Sequence, residues 1–92
     1  MGPLLDGPVG ARLAEADRDQ AFKAETQALE TGERRTWRGS KGTYGFVVPA
    51  GSAQADGGEC RSFTHTIYFA GRPQSAQGKG CRGADGSWRV VS

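Results

Sequence analysis

Few side chains in this sequence could do chemistry: two cysteines, Cys60 and Cys81, a single histidine, His65, and scattered carboxylates and guanidinium groups. A thiol or a serine hydroxyl beside an imidazole would make a nucleophile, because the ring accepts the proton as attack begins. Either arrangement must use His65, which lies on the same alternating face as Phe63 and Ile67 and therefore reads as a packed or edge side chain, not a catalyst. A zinc site needs three or four ligands at a recognisable spacing, and two cysteines with one histidine do not supply it, so neither metal nor cofactor is expected. Asp17 with Asp19, and Glu25 with Glu30, place carboxylates on a predicted helix, where a solvated face is the ordinary role. No second pair from the strands is placed to drive two pKa values apart, as hydrolysis would require. Gly78-Lys-Gly80 lacks the spacing of a phosphate-binding loop and does not precede a helix.

The cysteines have a better use in each other. If the chain turns at Ala70-Gly71, an antiparallel register puts Phe69 against Arg72, Phe63 against Gly78, and Cys60 against Cys81. Directly opposed residues have Cβ atoms about 4.5–5.5 Å apart, within reach of a disulfide after modest adjustment. A two-residue type I′ turn wants positive φ at both central positions, and Ala70 suits the first one poorly. A type I turn with Gly71 in a bulge is the alternative; it shifts the pairing by one and sets Cys81 diagonal to Cys60, still bridgeable.

These residues need elements to position them. From Leu13 to Thr31 the chain is rich in Ala, Glu, Gln, Arg and Lys, and its apolar residues Leu13, Ala14, Ala21, Phe22, Ala28 and Leu29 recur at helical spacing, with Ala24 at the margin. Gly32 reads as the stop, and Asp17 with Gln20 could form a capping box that delays the first turn to Asp17. Strands are predicted over Arg34 to Arg38, Thr43 to Pro49, Cys60 to Phe69, Arg72 to Cys81 and Ser87 to Val91. Short turns at 39–42 and 83–86 connect them, and Ala50 to Glu59 reads as a longer, mobile loop. In the third strand Phe63, Ile67 and Phe69 alternate with Thr64, Thr66 and Tyr68, so the helix should cover the first set. Residues 1–12, rich in Gly, Pro and Leu, form a flexible segment ahead of the domain at 13–92.

The 92 residues make one small domain, which buries only about 60–65% of its unfolded surface, so a covalent staple would contribute a large share of its stability. The 24% charged residues mix both signs, and a net charge of +2 is too small to indicate nucleic acid or a membrane as partner. No stretch approaches the ~20 apolar residues of a membrane helix, and the start Met1-Gly-Pro-Leu-Leu-Asp lacks the basic and apolar regions of an export signal. A disulfide belongs to an oxidising compartment, so the sequence reads as a trimmed exported protein; two free thiols in a cytosolic protein are the other reading.

The basic stretch Arg34-Arg-Thr-Trp-Arg-Gly-Ser-Lys41 interleaves a tryptophan, a composition that can track phosphates or stack on a ring. Arg35, Trp37, Arg38 and Lys41, with Arg61 and Arg82 from later strands, form the candidate binding surface of a molecule whose helix carries half of the acids. The same cations would also serve simply to keep edge strands soluble.

One resemblance runs through the whole chain. Leu13-Ala-Glu-Ala-Asp-Arg18, Gln27-Ala-Leu-Glu-Thr-Gly32, Thr36-Trp-Arg38, Gly45-Phe-Val-Val-Pro49, Cys60-Arg-Ser-Phe63, Gly80-Cys-Arg82 and Asp85-Gly-Ser-Trp-Arg-Val90 together resemble the surface antigen domain of the rickettsial seventeen-kilodalton antigen type, over residues 13 to 91. The resemblance implies a bacterial outer-membrane lipoprotein with a signal peptide, a lipid-carrying cysteine, a glycine-zipper segment and then this domain. Gly2 to Gly10 resembles the tail of such a zipper, although Pro3, Asp6 and Pro8 fit it poorly. The resemblance implies no catalytic residues.

The expectation is an α+β domain with one N-terminal helix packed on a four- to five-stranded antiparallel meander, stapled by one disulfide. Its core candidates are Phe22, Leu29, Trp37, Phe46, Val48, Phe63, Ile67, Trp88 and Val90. The expected function is a non-catalytic surface antigen module of the bacterial envelope, at the outer membrane or in the periplasm. Peptidoglycan, lipopolysaccharide or envelope proteins are its candidate partners, and nucleic acid is not. The alternative is an inhibitor or binder of a hydrolase of lysozyme type.

Overall fold

A computed structural model describes residues 11–55 and 58–91, the side chains of 51–55 and 58 excepted; the candidate zipper remnant up to Gly10 lies outside the described residues. Helix α1 spans Glu15–Thr31. It ends where Gly32 takes the left-handed conformation at φ 72° and donates its N–H to the Ala28 carbonyl. Five strands follow, β1 (Arg35–Arg38), β2 (Tyr44–Ala55), β3 (Gly58–Phe69), β4 (Arg72–Arg82) and β5 (Trp88–Val90). They pair antiparallel in sequence order, which is the expected meander.

The β3–β4 register is the predicted one: Phe69 opposes Arg72, Phe63 opposes Gly78, and Cys60 opposes Cys81. A disulfide joins the two cysteines. The turn is the two-residue form with both centres at positive φ, 54° at Ala70 and 80° at Gly71, so the bulged alternative is not adopted. Continuous pairing from Phe69↔Arg72 to Cys60↔Cys81 holds Ala70 in a conformation it does not favour on its own. The β1–β2 connection uses the same geometry, with Lys41 at φ 55° and Gly42 at φ 77°.

The expected loop from Ala50 to Glu59 is instead mostly strand. After a register shift between Pro49 and Ser52 that places one extra residue on β2, pairing resumes from Ser52↔Arg61 to Ala55↔Gly58. Proline has no N–H for a ladder, so a bulge beside Pro49 is where such a strand can break and restart. Backbone pairing beyond it does not depend on side-chain alternation, which is why the composition gave no strand pattern.

The helix lies against one face of the sheet. Ala21, Ala24 and Ala28 are buried on its contact side and bring it close. On the sheet, glycines receive the large side chains: a Cβ added at Gly78 would fall 2.5 Å from the Phe63 ring, and one at Gly80 would strike Leu29. Leu29, Trp37, Phe63, Ile67 and Trp88 form the core as expected, with Phe22 and Val90 packed at its edge. Phe46 and Val48 do not belong to it. The register sets Gly45 opposite Ile67 and Val47 opposite His65 on the helix side. The pleat therefore turns residues 46 and 48 to the opposite face, where Val48 is 41% exposed, and Val47 takes the core position.

Candidate functional site

Two arrangements could carry function, one buried and one open. The buried one is a hydrogen-bonded chain of three side chains from three elements: Glu25 on α1, His65 on β3 and Trp37 on β1. The Trp37 indole N–H donates to His65 Nε2 at 2.9 Å, and His65 Nδ1 lies 2.6 Å from Glu25 Oε2. His65 and Glu25 are fully buried, and Trp37 is nearly so. An indole nitrogen can only donate, so Nε2 is the acceptor and the ring proton sits on Nδ1, pointing at the carboxylate.

The order carboxylate, imidazole, third group is that of a hydrolytic triad, but the third position holds an N–H with no nucleophilic lone pair. The Nε2 that would take a proton from a nucleophile is occupied by that donor and shut away from solvent. This cluster ties the helix to the sheet, and His65 is the packed side chain its alternation predicted.

Other inward residues are structural as well. Asp17 is buried and accepts from the Ser40 backbone N–H at 2.9 Å and the Ser40 hydroxyl at 2.7 Å, which fastens the start of α1 to the β1–β2 turn. This is a correction to the expected capping box with Gln20 and to the solvated role given to Asp17 and Glu25. Arg61 stacks over the Trp88 ring at 5.0 Å and donates to the Leu29 carbonyl in the last turn of α1, where a cation complements the helix dipole. Its second nitrogen contacts Glu59 at 3.4 Å, and Arg82 reaches the same carboxylate at 3.6 Å.

The six residues expected to form one basic surface are therefore dispersed. Trp37 is 5% exposed and packs inward. Arg35 shares the inward register and lies 3.9 Å from Glu33, Lys41 sits in the turn, and Arg61 and Arg82 engage Glu59 at the far end of the sheet. Only Arg38 lies on the face turned away from the helix, in the row Arg38, Tyr44, Tyr68, Pro73 across four strands.

That open face holds what the sequence reading missed. Tyr44 and Tyr68 stack at 4.7 Å between centroids and 11° between planes, Phe46 lies 6.4 Å from Tyr68, and the Arg34 guanidinium sits 4.4 Å over the Phe46 ring. Lys79 and Arg89 occupy outward positions on β4 and β5. Among the described strand positions on this face there is no acidic residue. A groove of about 340 Å³ runs along β1 and β2 between Arg34, Arg38, Tyr44, Phe46 and Tyr68.

The family model for the 17 kDa outer membrane surface antigen matches residues 25–89, a span that contains the histidine cluster, the disulfide and the open face. The chain belongs to this surface antigen family. It is 37% identical to the 17 kDa surface antigen of Rickettsia bellii (strain RML369-C), an alignment covering 91% of this chain and 56% of the relative. It is 38% identical to that of Rickettsia japonica, covering 89% and 55%, and 34% identical to that of Rickettsia prowazekii, covering 85% and 52%. The chain thus spans about half the length of these curated relatives. No solved structure matches it. Among the described residues no helix is long and apolar enough to cross a membrane.

Proposed function

We propose that this surface antigen domain is a non-catalytic module of the bacterial envelope, tethered to the outer membrane through sequence outside it, that presents its open sheet face to an envelope partner. The observation that supports this is the contrast between the two faces. The helix-covered side is filled by a core and by a histidine cluster with no nucleophile. The other side leaves Tyr44 46% exposed beside arginines that no acidic residue among the described strand positions of that face neutralises. Monomeric proteins seldom leave a clustered aromatic and cationic face uncovered without a use for it.

The test is retention of envelope components on the immobilised, oxidised domain, compared with a variant carrying Arg34→Ala, Arg38→Ala and Tyr44→Ala. Loss of retained material in the variant is the expected result, and retention unchanged by all three substitutions would overturn the assignment of this face. A lipid-accepting cysteine behind a signal peptide is the expected leader of the full-length gene, and a gene without any leader would overturn the tether.

A further inference from the structure

The geometry around Tyr44 points to the chemistry of the partner. Tyr44 and Tyr68 are directly opposed across β2 and β3, and their 4.7 Å ring separation matches the ~4.7–4.9 Å spacing of neighbouring strands. The rings therefore stand up from the sheet and stack along the direction that crosses the strands. Tyr68 covers one face of Tyr44. The other face looks toward β1, where the opposed residue is Arg38. Between them lies the groove, which shares Arg38 and Tyr44 with a second hollow of about 350 Å³ lined also by Gly39, Gly42 and Thr43. Along the same face from Arg38, four residues and about 13 Å of extended chain away, stands Arg34, held over Phe46 and lining the same groove.

We propose that this slot binds an acidic sugar, a pyranose ring bearing a carboxylate, with the ring against the open face of Tyr44 and the carboxylate on Arg38 and Arg34. The aromatic face carries the negative side of the ring quadrupole and attracts the C–H-rich face of a pyranose. A guanidinium fork matches the two oxygens of a carboxylate and forms paired, charge-assisted hydrogen bonds with it. Two such forks on one strand face can engage one carboxylate together or two along a chain. With no acidic residue among the described strand positions of this face to compete, its complement is an anion. The slot is concave and bounded by one ring and one guanidinium, which suits a ligand threaded edge-on better than a flat lipid surface. This rests on the reading of the open face as the binding surface and adds the class of ligand.

The test is titration of the oxidised full chain with trigalacturonate, followed by amide and tyrosine-ring NMR shifts. Trigalacturonic acid methyl ester, neutral maltotriose and phosphatidylglycerol vesicles serve as comparisons. Shifts centred on Arg38 and Tyr44, with the ester and maltotriose binding at least tenfold more weakly, are expected. Arg38→Gln and Tyr44→Ala should each weaken trigalacturonate at least fivefold, Tyr44→Phe should retain most of the affinity, and Arg82→Gln should change nothing. Equal binding of the ester, binding to the vesicles alone, or no shifts at Arg38 and Tyr44 would overturn the inference. If trigalacturonate fails while envelope retention still depends on Arg34, Arg38 and Tyr44, the acidic-sugar assignment falls and the face assignment stands. If retention is also independent of these residues, both fall.

Discussion

The Trp37 indole donates to His65 Nε2, and this one bond decides which nitrogen of the only histidine carries the proton. Two-bond 15N–1H NMR correlations should show the Nδ1–H tautomer at neutral pH. Trp37→Phe keeps most of the ring volume but leaves Nε2 buried without its donor, and should cost roughly 1–3 kcal/mol in urea unfolding. Glu25→Gln offers an amide oxygen to the same Nδ1–H and should cost less than Glu25→Ala. Equal costs for the two Glu25 variants would show that the bond to His65 contributes nothing beyond packing.

Gly45 is the position where the sheet can least accept a side chain. A Cβ there would fall 2.5 Å from the Thr66 carbonyl oxygen and 2.7 Å from Trp37 Nε1, and backbone oxygen cannot rotate out of the way. Gly45→Ala should destabilise by about 1–3 kcal/mol through overpacking and should move the Trp37 fluorescence. Gly80→Ala should be milder, because the nearest atom there is the tip of the Leu29 side chain.

The disulfide closes a sequence separation of 21 residues. In the chain-entropy model its loss should lower stability by about 3 kcal/mol, read as a lower urea midpoint for the Cys60→Ser, Cys81→Ser double variant. Because the β3–β4 ladder continues from the bond to the turn, and both cysteines also pair with the outer strands β2 and β5, circular dichroism of that variant in the absence of urea should keep the strand signal.

Ala70 is held at φ 54° by the register of its hairpin, a conformation that Asn and Gly tolerate better. Ala70→Asn should raise stability by about 0.5–1 kcal/mol, visible as a higher thermal midpoint with unchanged ligand response. No change would mean that the turn relaxes in solution.

Asp85 accepts hydrogen bonds from the Ser87 hydroxyl at 2.7 Å and the Ser87 backbone N–H at 3.1 Å, and these bonds, with Arg89 nearby, hold its carboxyl below its usual range. A depressed native pKa adds stability that is present above the ordinary carboxylate range and fades as pH falls through the native value. The stability difference between wild type and Asp85→Asn should therefore be present at neutral pH and shrink on acidification into that region. A difference that grows toward acid would reverse the sign and refute the account.

The β3–β4 hairpin was legible in the sequence because three independent signals agree on it: alternation of Phe63, Ile67 and Phe69, small residues opposite the large ones, and a glycine at the turn. Phe46-Val-Val48 offered no such agreement. An unbroken apolar run carries no period, and only pairing to His65 and Ile67 decides that Val47 turns inward. Glu25 and Asp17 looked like members of a solvated helix surface because their partners are far along the chain, 40 and 23 residues away. The Tyr44–Tyr68 stack was hidden for the same reason. It exists only once β2 and β3 are paired in register, which no local pattern around Tyr44 announces.

The histidine cluster also bears on how the domain folds. Its members come from the helix, an edge strand and the centre of the sheet, so a sheet that formed before the helix docked would hold His65 and Trp37 without Glu25, and a helix that docked on a slipped sheet would bury a carboxylate against carbon. Both half-assembled forms carry a desolvation penalty that only the complete arrangement removes. Helix docking and strand registration should therefore occur in one concerted transition, leaving no populated intermediate in which one has happened without the other.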